Sequence, residues 1–117
     1  MIIEFEIPSL PPGINATYKT GRGGFYKSAE AVLWQQKASY IIGAHANWMG
    51  WEDDAEFYKI YIEIRGSRAD VDASVKLIID TITQKLGFDD SRILEQSSKK
   101  VKSDEKGILV RLIPIID

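Results

Sequence analysis

The chain begins with a strict alternation. Ile3, Phe5 and Ile7 are apolar, and Glu4 and Glu6 between them are charged. A period of two predicts a strand with one buried face. Pro8, Pro11, Pro12 and Gly13 end it. Residues 13–27 read as a polar loop, with Lys19, Arg22 and Lys27 but no acid. Ser28 is a natural N-cap for a helix running to about Ala46. Trp48 to Asp54 reads as a loop. From Phe57 to Arg65 the alternation returns, with Tyr58, Ile60, Ile62 and Ile64 on one face and Lys59, Glu63 and Arg65 on the other. A second helix is expected from near Asp70, with Val75, Ile78, Ile79, Ile82 and Leu86 as its buried stripe and Gly87 as its stop. Two strands should follow, Arg92 to Lys102 and Ile108 to Pro114, joined as a hairpin by Asp104 to Gly107. The expected fold is α+β. It is a single domain over residues 1–117, in the order β-α-β-α-β-β, with a mixed or largely antiparallel sheet packed with two helices.

Composition narrows the chemistry. At 117 residues and 44% hydrophobic, the chain suits one core. The apolar stretch from Ala29 to Trp51 is interrupted by Glu30, Gln35, Gln36, Lys37, His45 and Asn47, so it is not expected to span a membrane. Met1-Ile2-Ile3-Glu4-Phe5-Glu6 lacks the basic start of a signal peptide. With no cysteine, a reducing cytoplasm is the natural compartment. With His45 as the one histidine, zinc is disfavoured. Any metal would need oxygen ligands, which favours magnesium, with manganese as the alternative. The net charge of −2 speaks weakly against nucleic acid. However, setting aside Asp70, Asp72, Asp89 and Asp90 leaves basic residues in excess, and a bound cation would invert the local field.

Three acidic features stand out: Asp70-Val71-Asp72, Asp80, and Asp89-Asp90. Asp70 and Asp72 can point to the same side if the chain is extended there, so the helix must begin at or after Asp72. Lys76 lies four residues beyond Asp72, which would put both on one helix face. Asp80 lies a further turn along. Carboxylates holding a hard cation suit phosphodiester hydrolysis, and a lysine beside them suits binding of phosphate. The structural alternative is an N-cap for Asp70 or Asp72, a surface ion pair for Asp72 and Lys76, and plain turn residues for Asp89 and Asp90. Spacing alone favours that alternative.

The ordered set of motifs resembles the RusA family of Holliday-junction resolvases, found in bacteria and their prophages. That family's pattern is Asp-x-Asp-Asn-x-x-Lys-x-x-x-Asp-x-Leu, followed by Asp-Asp-x-x-Val or Ile. Here Asp70-Val71-Asp72-Ala73-Ser74-Val75-Lys76 leads to Asp80-Thr81-Ile82, and then to Asp89-Asp90-Ser91-Arg92-Ile93. Pro11-Pro12-Gly13-Ile14-Asn15-Ala16-Thr17-Tyr18 is similar to the family's Pro-Pro-x-x-Asn-x-x-Tyr. Tyr26-Lys27-Ser28-Ala29-Glu30 matches the start of its first helix. The resemblance implies that Asp70, Asp72 and Asp90 bind the metal and that Lys76 is catalytic. It further implies magnesium dependence, a homodimer, and paired nicks across a four-way DNA junction, in a bacterial or phage setting. Ala73 departs from the family's asparagine.

Asn15, Tyr18, Lys19, Arg22, Lys27 and Arg68 are candidate DNA contacts, although a turn residue and a core aromatic explain Asn15 and Tyr18 equally well, and Arg65 also flanks the acidic run. Lys99, Lys100 and Lys102 fit either DNA contact or a solvated edge strand. Trp48 and Trp51 fit a dimer interface, stacking on unpaired bases, or core packing. His45 reads as a packing or surface residue. Two other classes remain: a DNA-binding module that has lost turnover, and a domain whose acidic turn holds a structural ion.

Overall fold

A computed structural model describes residues 1–13, 17–21, 24–66 and 73–116, with the backbone alone for 18–21 and 24–26. The elements are β1 (Ile3–Ile7), β2 (Tyr18–Gly21), β3 (Gly24–Lys27), α1 (Ala29–Met49), β4 (Phe57–Gly66), α2 (Val75–Leu86), β5 (Ile93–Lys102) and β6 (Gly107–Ile115). A single 3-10 turn, Asp90–Arg92, precedes β5. The fold is α+β, and its main elements follow the expected β-α-β-α-β-β order.

Four strands form one mixed sheet in the order β1-β6-β4-β5. One face carries Ile3, Phe5 and Ile7 of β1, Tyr58, Ile60, Ile62 and Ile64 of β4, and Ile108, Val110 and Leu112 of β6. All are buried against Ala31, Trp34, Ala38 and Ile42 of α1 and Leu77, Ile78 and Ile82 of α2. The alternation in β1 and β4 therefore sets which face is covered. On α2, Leu77 joins the stripe as a fully buried residue, while Val75 and Leu86 are only partly covered. No helix among the described residues is long and apolar enough to cross a membrane.

The helix caps are local and chemical. Ser28 accepts a hydrogen bond from the Ala31 N–H and begins α1, as expected. The helix runs to Met49, not Ala46, and ends at Gly50 with φ 68°. Trp48 consequently sits in its last turn and not in a loop. A second correction concerns α2, which starts at Val75 and not near Asp70. Ser74 is its N-cap, accepting from the Leu77 N–H at 3.2 Å. Gly87, at φ 84°, closes it, donating to the Thr83 carbonyl at 2.9 Å.

Residues 18–27 are not a plain loop. β2 and β3 pair antiparallel, with Tyr18 opposite Lys27 and Gly21 opposite Gly24. The hairpin lacks an apolar alternation, which is why a burial pattern misses it. Its sequence signal is aromatic and β-branched residues on either side of a glycine-rich turn.

The third correction is topological: β5 and β6 are not a hairpin. β5 pairs parallel with β4, and β6 pairs antiparallel with β4 on its other side. The chain from β4 through α2 to β5 is thus a β-α-β crossover. Burial explains the arrangement. β6 is buried over its first four residues, whereas eight of the ten residues of β5 are exposed. A strand that polar can occupy only an edge, which leaves the central position between β1 and β4 to β6.

Gly107 opens β6 where it meets β1. A Cβ built there would lie 2.8 Å from the Ile7 carbonyl oxygen, a backbone atom that cannot swing aside. Gly107→Ala is expected to destabilise the fold by about 1–3 kcal/mol, the usual scale of overpacking. Urea denaturation checks this. An unchanged midpoint would mean that the β1–β6 junction yields freely.

Candidate active site

The end of α2 and the entry to β5 determine how the second acidic feature is presented. Gly87 turns the chain, Phe88 buries its ring beside Tyr58 and Trp51, and Asp89 then caps the 3-10 turn. The Asp89 carboxylate accepts from the Ser91 N–H at 2.8 Å, and that backbone hydrogen bond holds its pKa below the usual carboxylate value. Asp89 is therefore occupied locally. The two neighbouring aspartates are placed differently, and Asp90 is the one that lines the groove described next.

The turn is anchored from behind by Arg92. Its guanidinium donates to both carboxylate oxygens of Asp53, each at 2.7 Å, and its Nε donates to the Glu56 carbonyl at 3.0 Å. It also donates to the Ala55 carbonyl and lies 5.3 Å from the Phe88 ring centroid and 5.7 Å from that of Tyr58. The Tyr58 hydroxyl donates to Asp53 at 2.6 Å. Hydrogen bonding to Arg92 holds the Asp53 carboxyl below its ordinary value, outweighing its partial burial. Arg92, Asp53 and Tyr58 thus tie the start of β5 to the loop before β4.

Between α2 and the first half of β5 lies a groove of about 230 Å³. Val75, Ile79 and Ile93 give it apolar lining, and Lys76, Asp80, Asp90 and Gln96 give it polar lining. The structure therefore brings together Lys76 and Asp90 and adds Asp80 and Gln96. Asp80 follows from Lys76 by helical spacing. Gln96 carries no sequence signal, because it depends on which side of a polar strand faces the helix. The first turn of α2 contains no acid and does contain Lys76. A cation there opposes the helix dipole at a cost of about 0.3–1 kcal/mol, which suits a residue kept for something other than helix stability.

Asp70 and Asp72 lie outside the described residues, as do Asn15, Arg22 and Arg68. The expected convergence of Asp70, Asp72 and Asp90 concerns those residues too. Two statements about them follow from α2 itself. The N-cap role open to either aspartate belongs to Ser74. The helix begins at Val75. The condition that the helix start after Asp72 is met. Among the described residues no three acids or histidines gather to hold a metal ion.

The remaining candidates divide. Lys27 donates to Gln35 at 3.0 Å, and Gln35 donates to Thr81 at 2.9 Å, so the hairpin is tied through α1 to α2. Tyr18 and Lys19 lie in β2, where the backbone alone is described. Arg65 pairs with Glu63 at 2.9 Å and Glu6 at 3.0 Å on the helix-free face of the sheet, away from the groove. Lys99, Lys100 and Lys102 lie on β5, an edge strand. Trp51 packs on Tyr58 and Phe88 and donates to the Met1 carbonyl at 2.9 Å, which makes it a packing residue. Trp48 is 81% exposed. His45 packs between Phe5 and Trp48 with its ring tilted to both, by 52° and 44°.

No protein-family model and no curated protein matches this chain. The resemblance therefore rests on the motifs themselves. One contact links two of them: Gly13 and Ala73 form an isolated antiparallel bridge. The Pro11-Pro12-Gly13 segment thus adjoins the residue that follows Asp72. Ala73 is buried there, 6% exposed, beside Ser74.

Proposed function

We propose that the protein is a metal-dependent endonuclease of the RusA type that resolves four-way DNA junctions by paired nicks, acting as a homodimer in a bacterial or phage cytoplasm. The observation that carries this reading is the groove. Lys76 and Asp90, which the resemblance pairs as catalytic, line it from different elements, while Asp89 is taken up as a cap. The donors available are carboxylate oxygens, with no cysteine and a histidine engaged in ring packing, and this fits a hard cation. Asp70, Asp72 and Asp90 would hold magnesium or manganese, which when bound makes water a better nucleophile and offsets charge on phosphorus. Lys76 would bind a phosphate oxygen and stabilise the charge that develops on it. Asp80, one turn from Lys76, would help to orient that side chain. Asn15, Tyr18, Lys19, Arg22, Lys27 and Arg68 would hold the DNA backbone, which makes binding salt-dependent.

A second reading is a junction-binding module of the same fold with weak or no cleavage. Buried Ala73 favours it, since any contact made by an asparagine at that position is absent. Incubating a labelled four-way junction with and without magnesium, beside Asp72→Asn, separates the two. Symmetric, magnesium-dependent cuts that vanish in the variant are expected. Tight junction binding with no cutting by either protein would replace the first reading with the second. No binding at moderate salt would remove both.

A further inference from the structure

Among the described residues β5 is a ten-residue edge strand with one neighbour, β4. Such an edge exposes a row of backbone N–H and C=O groups that can pair with another strand. Its side chains are not random with respect to such pairing. Glu95 lies beside Lys59 of β4, Ser97 beside Tyr61, and Lys99 beside Glu63. These residues share the helix-free face, while Gln96, on the alternate side, lines the groove under α2. The proximity of Lys99 also contributes to the lowered pKa of Glu63, after the larger effects of Arg65 and Tyr61.

We infer that β5 pairs antiparallel with β5 of a second copy of this chain, about a two-fold axis through Ser97, joining the two sheets into one. That register sets Glu95 of each copy directly opposite Lys99 of the other. No other two-fold register sets Glu95 against a lysine on its own face. Two rows across the joined sheet then read Lys59, Glu95, Lys99, Glu63, with the sign alternating at every step and the last two residues supplied by the second copy. Directly opposed charges of unlike sign stabilise a strand pair, and like charges destabilise it. Lysines on a lone edge usually serve to block pairing. Here the acid at the matching position turns that block into a choice of partner and register.

The geometry has a functional side, which rests on the paired-nick reading. The axis of an antiparallel strand pair stands normal to the sheet, so both helix layers lie on one side. The two grooves, each reaching Gln96, flank the axis on that side. A two-fold pair of sites is what two symmetric cuts require.

Sedimentation of the free protein, without DNA, tests the interface apart from cleavage. The wild type is expected to be a dimer that weakens with salt. Glu95→Lys and Lys99→Glu should each raise its dissociation constant about 30-fold, because each reverses two opposed pairs per dimer. The double reversal should restore association, and mixing the two single variants should give a heterodimer. A monomeric wild type overturns both the interface and the dimer. A dimer indifferent to these charges overturns the interface and leaves the dimer reading intact. Loss of junction binding in Lys99→Glu without change in association would instead assign the strand to DNA.

Discussion

Asp90→Asn is expected to lower the rate of junction cleavage by at least about 100-fold, the scale on which removing one electrostatic group from an active site acts, while Asp89→Asn leaves the rate nearly unchanged. The two residues are adjacent and chemically identical, so the contrast depends on the fold alone. Asp89 spends its carboxylate on the Ser91 N–H, a role that asparagine fills equally well. Asp90 lines the groove with Lys76, and an amide there loses the negative charge that the proposed cation would need. Asp89→Ala should instead lower stability, as the loss of a cap does. Single-turnover cleavage, with thermal unfolding measured on the same samples, separates the effects. Equal losses of rate in the two asparagine variants would mean that the turn does not divide their roles.

The second large effect lies behind the site. Arg92→Ala is expected to lower stability measurably, since it breaks a bidentate charged pair and further hydrogen bonds to carbonyls. It should also loosen the Asp90 turn, so cleavage falls even where the protein remains folded. The network has a pH signature. Burial, followed by the hydrogen bond to Asp53, pushes the Tyr58 hydroxyl up to about 12. The fold favours the neutral phenol. That contribution is complete below the ordinary tyrosine value of about 10 and is lost as pH rises through about 12. Asp53 has the opposite sign. Its lowered pKa stabilises the fold above the ordinary carboxylate range, and the contribution is lost in acid. Urea midpoints between pH 7 and 11.5 should fall steeply at the alkaline end for the wild type. Tyr58→Phe should be less stable at pH 7 and fall less steeply. Parallel alkaline limbs for the two proteins would show that Tyr58 does not titrate with unfolding.

The parts of the fold that were legible in the sequence are those in which one face is wet and the other dry. β1 and β4 alternate because helices cover one side of them, so their limits and faces follow directly. α2 could be read through its stripe, but its start could not. Asp70, Asp72 and Ser74 all suit an N-cap, and spacing does not choose among them. Pairing was the weakest point. β5 and β6 are consecutive, and consecutive strands usually neighbour one another. The clue was in their composition, since a strand as apolar as β6 belongs inside a sheet and one as polar as β5 at its edge. In the groove, Lys76 and Asp80 were legible as a helical pair. Asp90 entered through resemblance, and Gln96 needed the parallel register of β4 and β5. That register follows from the crossover, not from any local pattern.

The central place of β6 has a consequence for how the protein is made. It is the last of these elements to leave the ribosome, yet it fills the gap between β1 and β4, pairing with the earliest of them. Until then a nascent chain holds two apolar strands with unsatisfied edges and no partner between them. Contacts so distant in sequence form slowly, because a long loop must close first. Synthesis that stalls before Gly107 should therefore leave a species prone to aggregate and to recruit chaperones, with completion of the final strand as the step that commits the chain to its fold.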